Sequence, residues 1–153
     1  MDKKEIKIIK DTTDELLKLL EVDGTFDILE NKEGESIDII LDTKDTGIVI
    51  GYHGDTMEGL QLVLSLCIAK KLGRFVRVSL EVGDYKKNRT EWLKSLAEET
   101  KDRVLSEGKE IVIPELKSWE RRVVHLLLEN DKEVMSESQG EGRDRVLVVK
   151  PKS

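Results

Sequence analysis

The chain has 153 residues, with 26 Lys and Arg against 32 Asp and Glu, and carries a formal net charge of −6. That length allows one domain or two small ones with a buried core, and the charge excludes a general polyanion binder working through a global positive field. Charged residues reach 38%, yet apolar periodicity persists almost end to end, which separates the chain from disordered polyelectrolytes.

The first amphipathic helix is predicted over 5–20, with Ile6, Ile9, Thr13, Leu16, Leu17 and Leu20 at helical spacing and Gly24 as its stop. Strands over 25–30 and 36–41 follow, joined by a polar turn over 31–35 into a hairpin. A short apolar turn through Ile48 and Ile50 then enters Gly51-Tyr52-His53-Gly54, and a helix over 56–72 leaves it. That helix is apolar on most sides, through Met57, Leu60, Val63, Leu64, Cys67, Ile68 and Leu72, and is expected to be a core helix. Gly73 ends it, and residues 75–82 alternate as a strand with Val76, Val78, Leu80 and Val82 inward.

Gly83-Asp84 marks the expected domain boundary, with Asp84 as N-cap of a long helix reaching residue 106. Its buried stripe is predicted as Tyr85, Trp92, Leu93, Leu96, Thr100 and Val104, with Gly108 as stop. A short strand over 110–113, a helix over 118–129 and strands over 134–138 and 144–150 complete a second α+β unit. Projected at helical pitch, the helix over 118–129 gathers Trp119, Val123, Leu126 and Leu127 on one side. Ser118, Arg121, Arg122, His125 and Glu129 lie opposite.

Two stretches carry chemistry. The paired glycines allow a tight turn and close backbone approach, and helix N–H groups behind them suit a phosphate, although an ordinary turn into a helix explains them equally. Arg121 and His125, one turn apart, can reach a phosphate or stack on a base, although a solvated charged face has the same spacing. Local patches must supply any attraction to phosphate, because residues 1–82 hold 11 basic against 17 acidic side chains and residues 83–153 hold 15 against 15.

Other functions find little support. Two histidines and one cysteine do not suggest a metal site or a Cys/His nucleophile, and no carboxylate pair stands out for acid–base work. Neither catalysis nor a cofactor is expected. Cys67 alone excludes an internal disulfide framework, the longest apolar run is too short for a membrane span, and the N-terminus lacks the apolar core of a signal peptide. A cytoplasmic protein without stable membrane insertion is the expectation.

With these residues in view, Gly51-Tyr52-His53-Gly54, entered from Ile48-Val49-Ile50, resembles the GxxG signature of a KH domain of the bacterial, type II arrangement. Glu120-Arg121-Arg122-Val123-Val124-His125, with the closing segments from Ser136 and Arg143, is similar to the Arg-xxx-His motif of the R-three-H domain. KH followed by R-three-H is the tandem of the Jag family, also called KhpB, and the resemblance covers nearly the whole chain. It implies a type II KH domain over 1–83 and an α+β R-three-H domain over 84–153.

The resemblance further implies a non-catalytic binder of single-stranded RNA, with single-stranded DNA an open alternative. Gly51, Tyr52, His53 and Gly54 would clamp the backbone of unpaired nucleotides, with Ile48 and Ile50 lining the groove. Arg121 and His125 would form the second contact, with Arg122 and Arg145 as auxiliaries. Family loops usually carry a basic residue between the glycines; here Tyr52 and His53 stand there, and stacking on Tyr52 can compensate. Asp55 and Glu58 weaken the field just behind the loop. Family members often begin with a further small domain and a charged linker, and the sequence leaves open whether the membrane or cell-elongation role tied to that part is retained. The second reading is an adaptor whose KH surface pairs with another KH protein, with itself, or with a membrane-insertase or cell-envelope partner.

Overall fold

The computed structural model describes residues 1–31 and 35–153, so the turn predicted over 31–35 falls largely outside the described residues. The elements are α1 (Lys3–Leu19), β1 (Gly24–Glu30), β2 (Ser36–Thr43), α2 (Thr46–Ile50), α3 (Asp55–Leu72), β3 (Arg77–Val82), α4 (Tyr85–Glu107), β4 (Ile111–Ile113), α5 (Ser118–Leu128), β5 (Val134–Gln139) and β6 (Val146–Pro151). The fold class is α+β, as expected. Two compact units divide the chain, Met1–Tyr85 and Lys86–Ser153.

In the first unit, β2 pairs antiparallel with β1 and parallel with β3, in the order β1-β2-β3. Parallel pairing needs a crossover, and α2 and α3 supply it, which carries the glycine loop between them. One sheet face buries Ile37, Ile39, Leu41, Val78, Leu80 and Val82 against Ile9 and Leu17 of α1 and Met57, Leu60, Leu64 and Ile68 of α3. Gln61 on α3 also accepts the Leu80 N–H at 2.9 Å, which ties the helix to β3 by a polar contact.

Two expectations for this unit change. Helix α1 opens with a capping box between Asp2 and Glu5 and stops well before Gly24, which instead opens β1. Glu21 takes the left-handed conformation at φ 55°, while its N–H donates to Lys18 O and that of Val22 donates to Leu17 O. That bond pattern is a Schellman closure with Glu in the seat glycine usually takes. Helix α3 buries only the Met57–Leu60–Leu64–Ile68 side; Val63 is exposed together with Leu62 and Leu66, and Cys67 is half-buried.

The second unit sets β6 between β4 and β5, all antiparallel. Its core joins Leu93, Ala97 and Val104 of α4 with Val124 and Leu128 of α5 and Ile113, Val134, Leu147 and Val149 of the strands. In α4 the stripe holds at Leu93, Thr100 and Val104, while Trp92 is exposed and Ala97 is buried instead. Tyr85 packs against the first unit's core, and the division between the units falls after it rather than after Gly83.

In α5 the inward face is Glu120, Val124 and Leu128, so Leu126 and Leu127 are exposed rather than buried. The rotation has a polar cause. Buried Glu120 accepts the Arg89 Nε at 2.6 Å and the Lys117 backbone N–H at 2.9 Å, which turns that carboxylate inward. The last strand begins at Val146, because Gly142–Asp144 form a 3₁₀ turn before it.

Candidate nucleic-acid interface

The loop Gly51-Tyr52-His53-Gly54 is a single 3₁₀ turn wedged between α2 and α3. Gly51 lies at φ 68°, where an added Cβ would sit 2.1 Å from Thr56 Oγ1, so the position admits only glycine without rearrangement. Gly54, at φ 79°, backs onto the Tyr85 ring, with an added Cβ 3.1 Å from its carbon edge. His53 itself is left-handed at φ 49°. Its ring stacks on Tyr52 with centroids 4.1 Å apart and planes 15° apart, and Tyr52 stands largely in solvent. Of the two groove residues, Ile48 is exposed, while Ile50 is half-buried against the core. The structure thus brings the predicted clamp together as a stacked aromatic pair on a turn that two glycines make possible.

A second site lies on the other unit. A cleft of about 490 Å³ is lined by Ser118, Arg121, Arg122, His125, Ser138, Gly142 and Arg145. Arg121, Arg122, His125 and Arg145 therefore converge, although Arg145 comes from the far end of the sequence. The 3₁₀ turn at Gly142–Asp144 makes this approach possible, with the Arg145 N–H donating back to Gly142 O at 3.3 Å.

Each basic group is held differently. Arg121 is half-buried and donates through Nη1 to Leu116 O at 2.5 Å and through Nη2 to Ser118 Oγ at 3.2 Å. It flanks the core rather than opposing it, contrary to the helical projection, because Glu120 draws the inward face towards it. Arg145 reaches Gly140 O at 3.5 Å. Arg122 makes no hydrogen bond or ion pair among the described residues and is exposed. His125 Nδ1 lies 2.9 Å from Ser136 Oγ, which orients the ring and leaves Nε2 for the cleft. Among the described residues no carboxylate lines the cleft, so three guanidinium groups concentrate positive charge in a chain that is negative overall.

Two contributors were not singled out from the sequence: Ser136, which orients His125, and Ser138, which lines the cleft. Strand alternation is the signal that could have found them, since residues two apart share a face.

Comparison with known proteins matches this arrangement. A family model described as the KhpA/KhpB KH domain matches residues 7–82, and one described as the R-three-H domain matches residues 91–151. The chain belongs to the Jag/KhpB family. Relatives bearing the name RNA-binding protein KhpB include one from Clostridium symbiosum, 31% identical over 78% of this chain and 54% of its own length. Another from Lactiplantibacillus plantarum is 35% identical over 71% of this chain and 34% of its own length. The KhpB of Bacillus subtilis is 26% identical over 84% of this chain and 63% of its own length. The chain thus spans between about a third and two thirds of these KhpB proteins. Among the described residues, no helix is long and apolar enough to cross a membrane.

Proposed function

We propose that the chain is a non-catalytic, cytoplasmic binder of single-stranded RNA that acts as a chaperone or post-transcriptional regulator. The observation that carries this reading is the convergence of Arg121, Arg122, Arg145 and His125 on one cleft that, among the described residues, no carboxylate lines. Guanidinium groups in such a setting grip phosphate oxygens, and the imidazole adds a donor or a stacking surface. The Gly51–Gly54 turn supplies the second grip, with backbone close to the strand and Tyr52 offered to a base. A strand long enough to reach both gains affinity through effective concentration. The names of the KhpB relatives support the same ligand class.

The test is the affinity of an unstructured oligoribonucleotide at two salt concentrations. Binding should weaken as salt rises, since phosphate contacts release counterions. Arg122→Ala should weaken it further and flatten the salt slope by about one unit, with unchanged melting, because its exposed guanidinium makes no hydrogen bond or ion pair among the described residues. A wild-type chain that ignores such strands at low ionic strength would sink the reading.

A second reading has its own observation. Leu62, Val63 and Leu66 form an exposed apolar face on α3, which suits pairing with a second KH domain. Sedimentation should show a dimer that Leu62→Glu with Leu66→Glu converts to a folded monomer. A monomer at every concentration, with no effect of the pair, would remove this reading for self-association.

A further inference from the structure

Only six aromatic side chains of Trp, Tyr and Phe type occur in the chain, and Trp92 is one that the fold leaves out of the core. It stands in the first half of α4, where Arg89, one turn earlier, places its guanidinium carbon 4.1 Å from the indole centroid. Arg89 is not free to swing away, because its Nε is bound 2.6 Å from the fully buried carboxylate of Glu120. Glu120 lies in the first turn of α5, and the next residue, Arg121, lines the cleft. Indole, guanidinium and carboxylate are therefore one series of contacts, and Arg121, the chain neighbour of that carboxylate, lines the candidate binding site.

The exposure of the ring completes the picture. One face is covered by Arg89, yet Trp92 retains 48% of its accessible surface. With Arg89 over one face, the surface that remains is offered to solvent by the rest of the ring. The Arg89 charge is already answered by Glu120, which makes Arg89 a support for the ring rather than a phosphate contact. An aromatic face held in a fixed orientation and offered to solvent is the geometry that unpaired bases stack on.

We propose that Trp92 is a base-stacking platform for the same strand that Arg121, Arg122 and Arg145 hold. This rests on the RNA-binding reading above and adds to it a contact outside the cleft lining. Stacking suits this chain, since a net charge of −6 limits how much affinity a polyanion can draw from charge alone. It also makes Trp92 sequence-tolerant, because every base presents a π face.

The experiment uses the full chain with Trp119→Phe, which leaves Trp92 as the sole indole, titrated with single-stranded oligouridylate and oligoadenylate. Trp92 emission should be quenched at saturation by both. Trp92→Ala should raise Kd by about tenfold, Trp92→Phe should recover part of that loss, and neither should alter the slope of log K against log salt. Should Trp92→Ala melt early, the quenching and the Trp92→Phe affinity decide. If emission is unmoved and both variants bind as the parent does, while Arg122→Ala binds less well, Trp92 lies off the path and the RNA reading stands. If the parent fails to bind at low ionic strength, both readings fall together.

Discussion

Asp131 shows how much one carboxylate can organise. Its Oδ2 accepts Lys101 Nζ at 2.6 Å, and its Oδ1 accepts the backbone N–H groups of Glu133 at 2.8 Å and Val134 at 3.1 Å. The first contact ties α4 to the turn before β5, and the others shape that turn. The Lys101 bond, followed by the Glu133 N–H, holds the carboxyl at a pKa of about 2, below its ordinary 3.8. A depressed folded-state pKa stabilises the native state fully above the unfolded value, and that contribution is lost as pH falls through the folded one. Asp131→Asn keeps an oxygen for the two N–H groups but loses the ion pair. The variant should therefore unfold at lower urea than the wild type at neutral pH. The gap should begin to narrow below about pH 4 and continue closing towards pH 2. A gap that stays constant across that range would show that the carboxylate's charge is not what matters.

Elements explain where sequence reading succeeds and where it stops. The strands of both sheets were legible because alternation is set by the backbone itself, as in Val76, Val78, Leu80 and Val82, all buried. Helix faces were less so, because spacing gives a circle of positions without saying which arc faces inward. In α5 that choice was made by Glu120, whose partner Arg89 lies 31 residues away and leaves no local trace. The end of α1 was missed for a related reason, since nothing in composition marks Glu21 as left-handed. For a non-glycine residue that conformation costs about 1–2 kcal/mol, partly offset in a glycine variant by greater freedom when unfolded. Glu21→Gly should thus stabilise the first unit by up to about 1 kcal/mol and raise its melting temperature by a few degrees. An unchanged or lower melting temperature would show that the Glu side chain compensates elsewhere.

At the scale of the molecule, the two candidate sites were legible to different degrees. The Gly51–Gly54 turn is local, and its two glycines already permit the left-handed conformations the structure shows. The arginine cleft is assembled from α5, β5 and the Gly142–Asp144 turn, and only the family resemblance linked Arg145 to Arg121 before the fold was known. Ser136 and Ser138 joined the site through the strand's pleat rather than through any motif. Overall charge argues against a nucleic-acid ligand, yet no described carboxylate lines the cleft and the surplus acid lies elsewhere. What governs contact with a polyanion is the field at the site, not the sum over the chain.

The Tyr52–His53 pair carries a consequence for thermodynamics. Because the two rings already lie face to face at 4.1 Å, a purine or pyrimidine added to the outer side of Tyr52 would lengthen an existing pile instead of ordering a loose side chain. Much of the rotamer entropy that docking normally consumes is surrendered when the loop folds, before any ligand arrives.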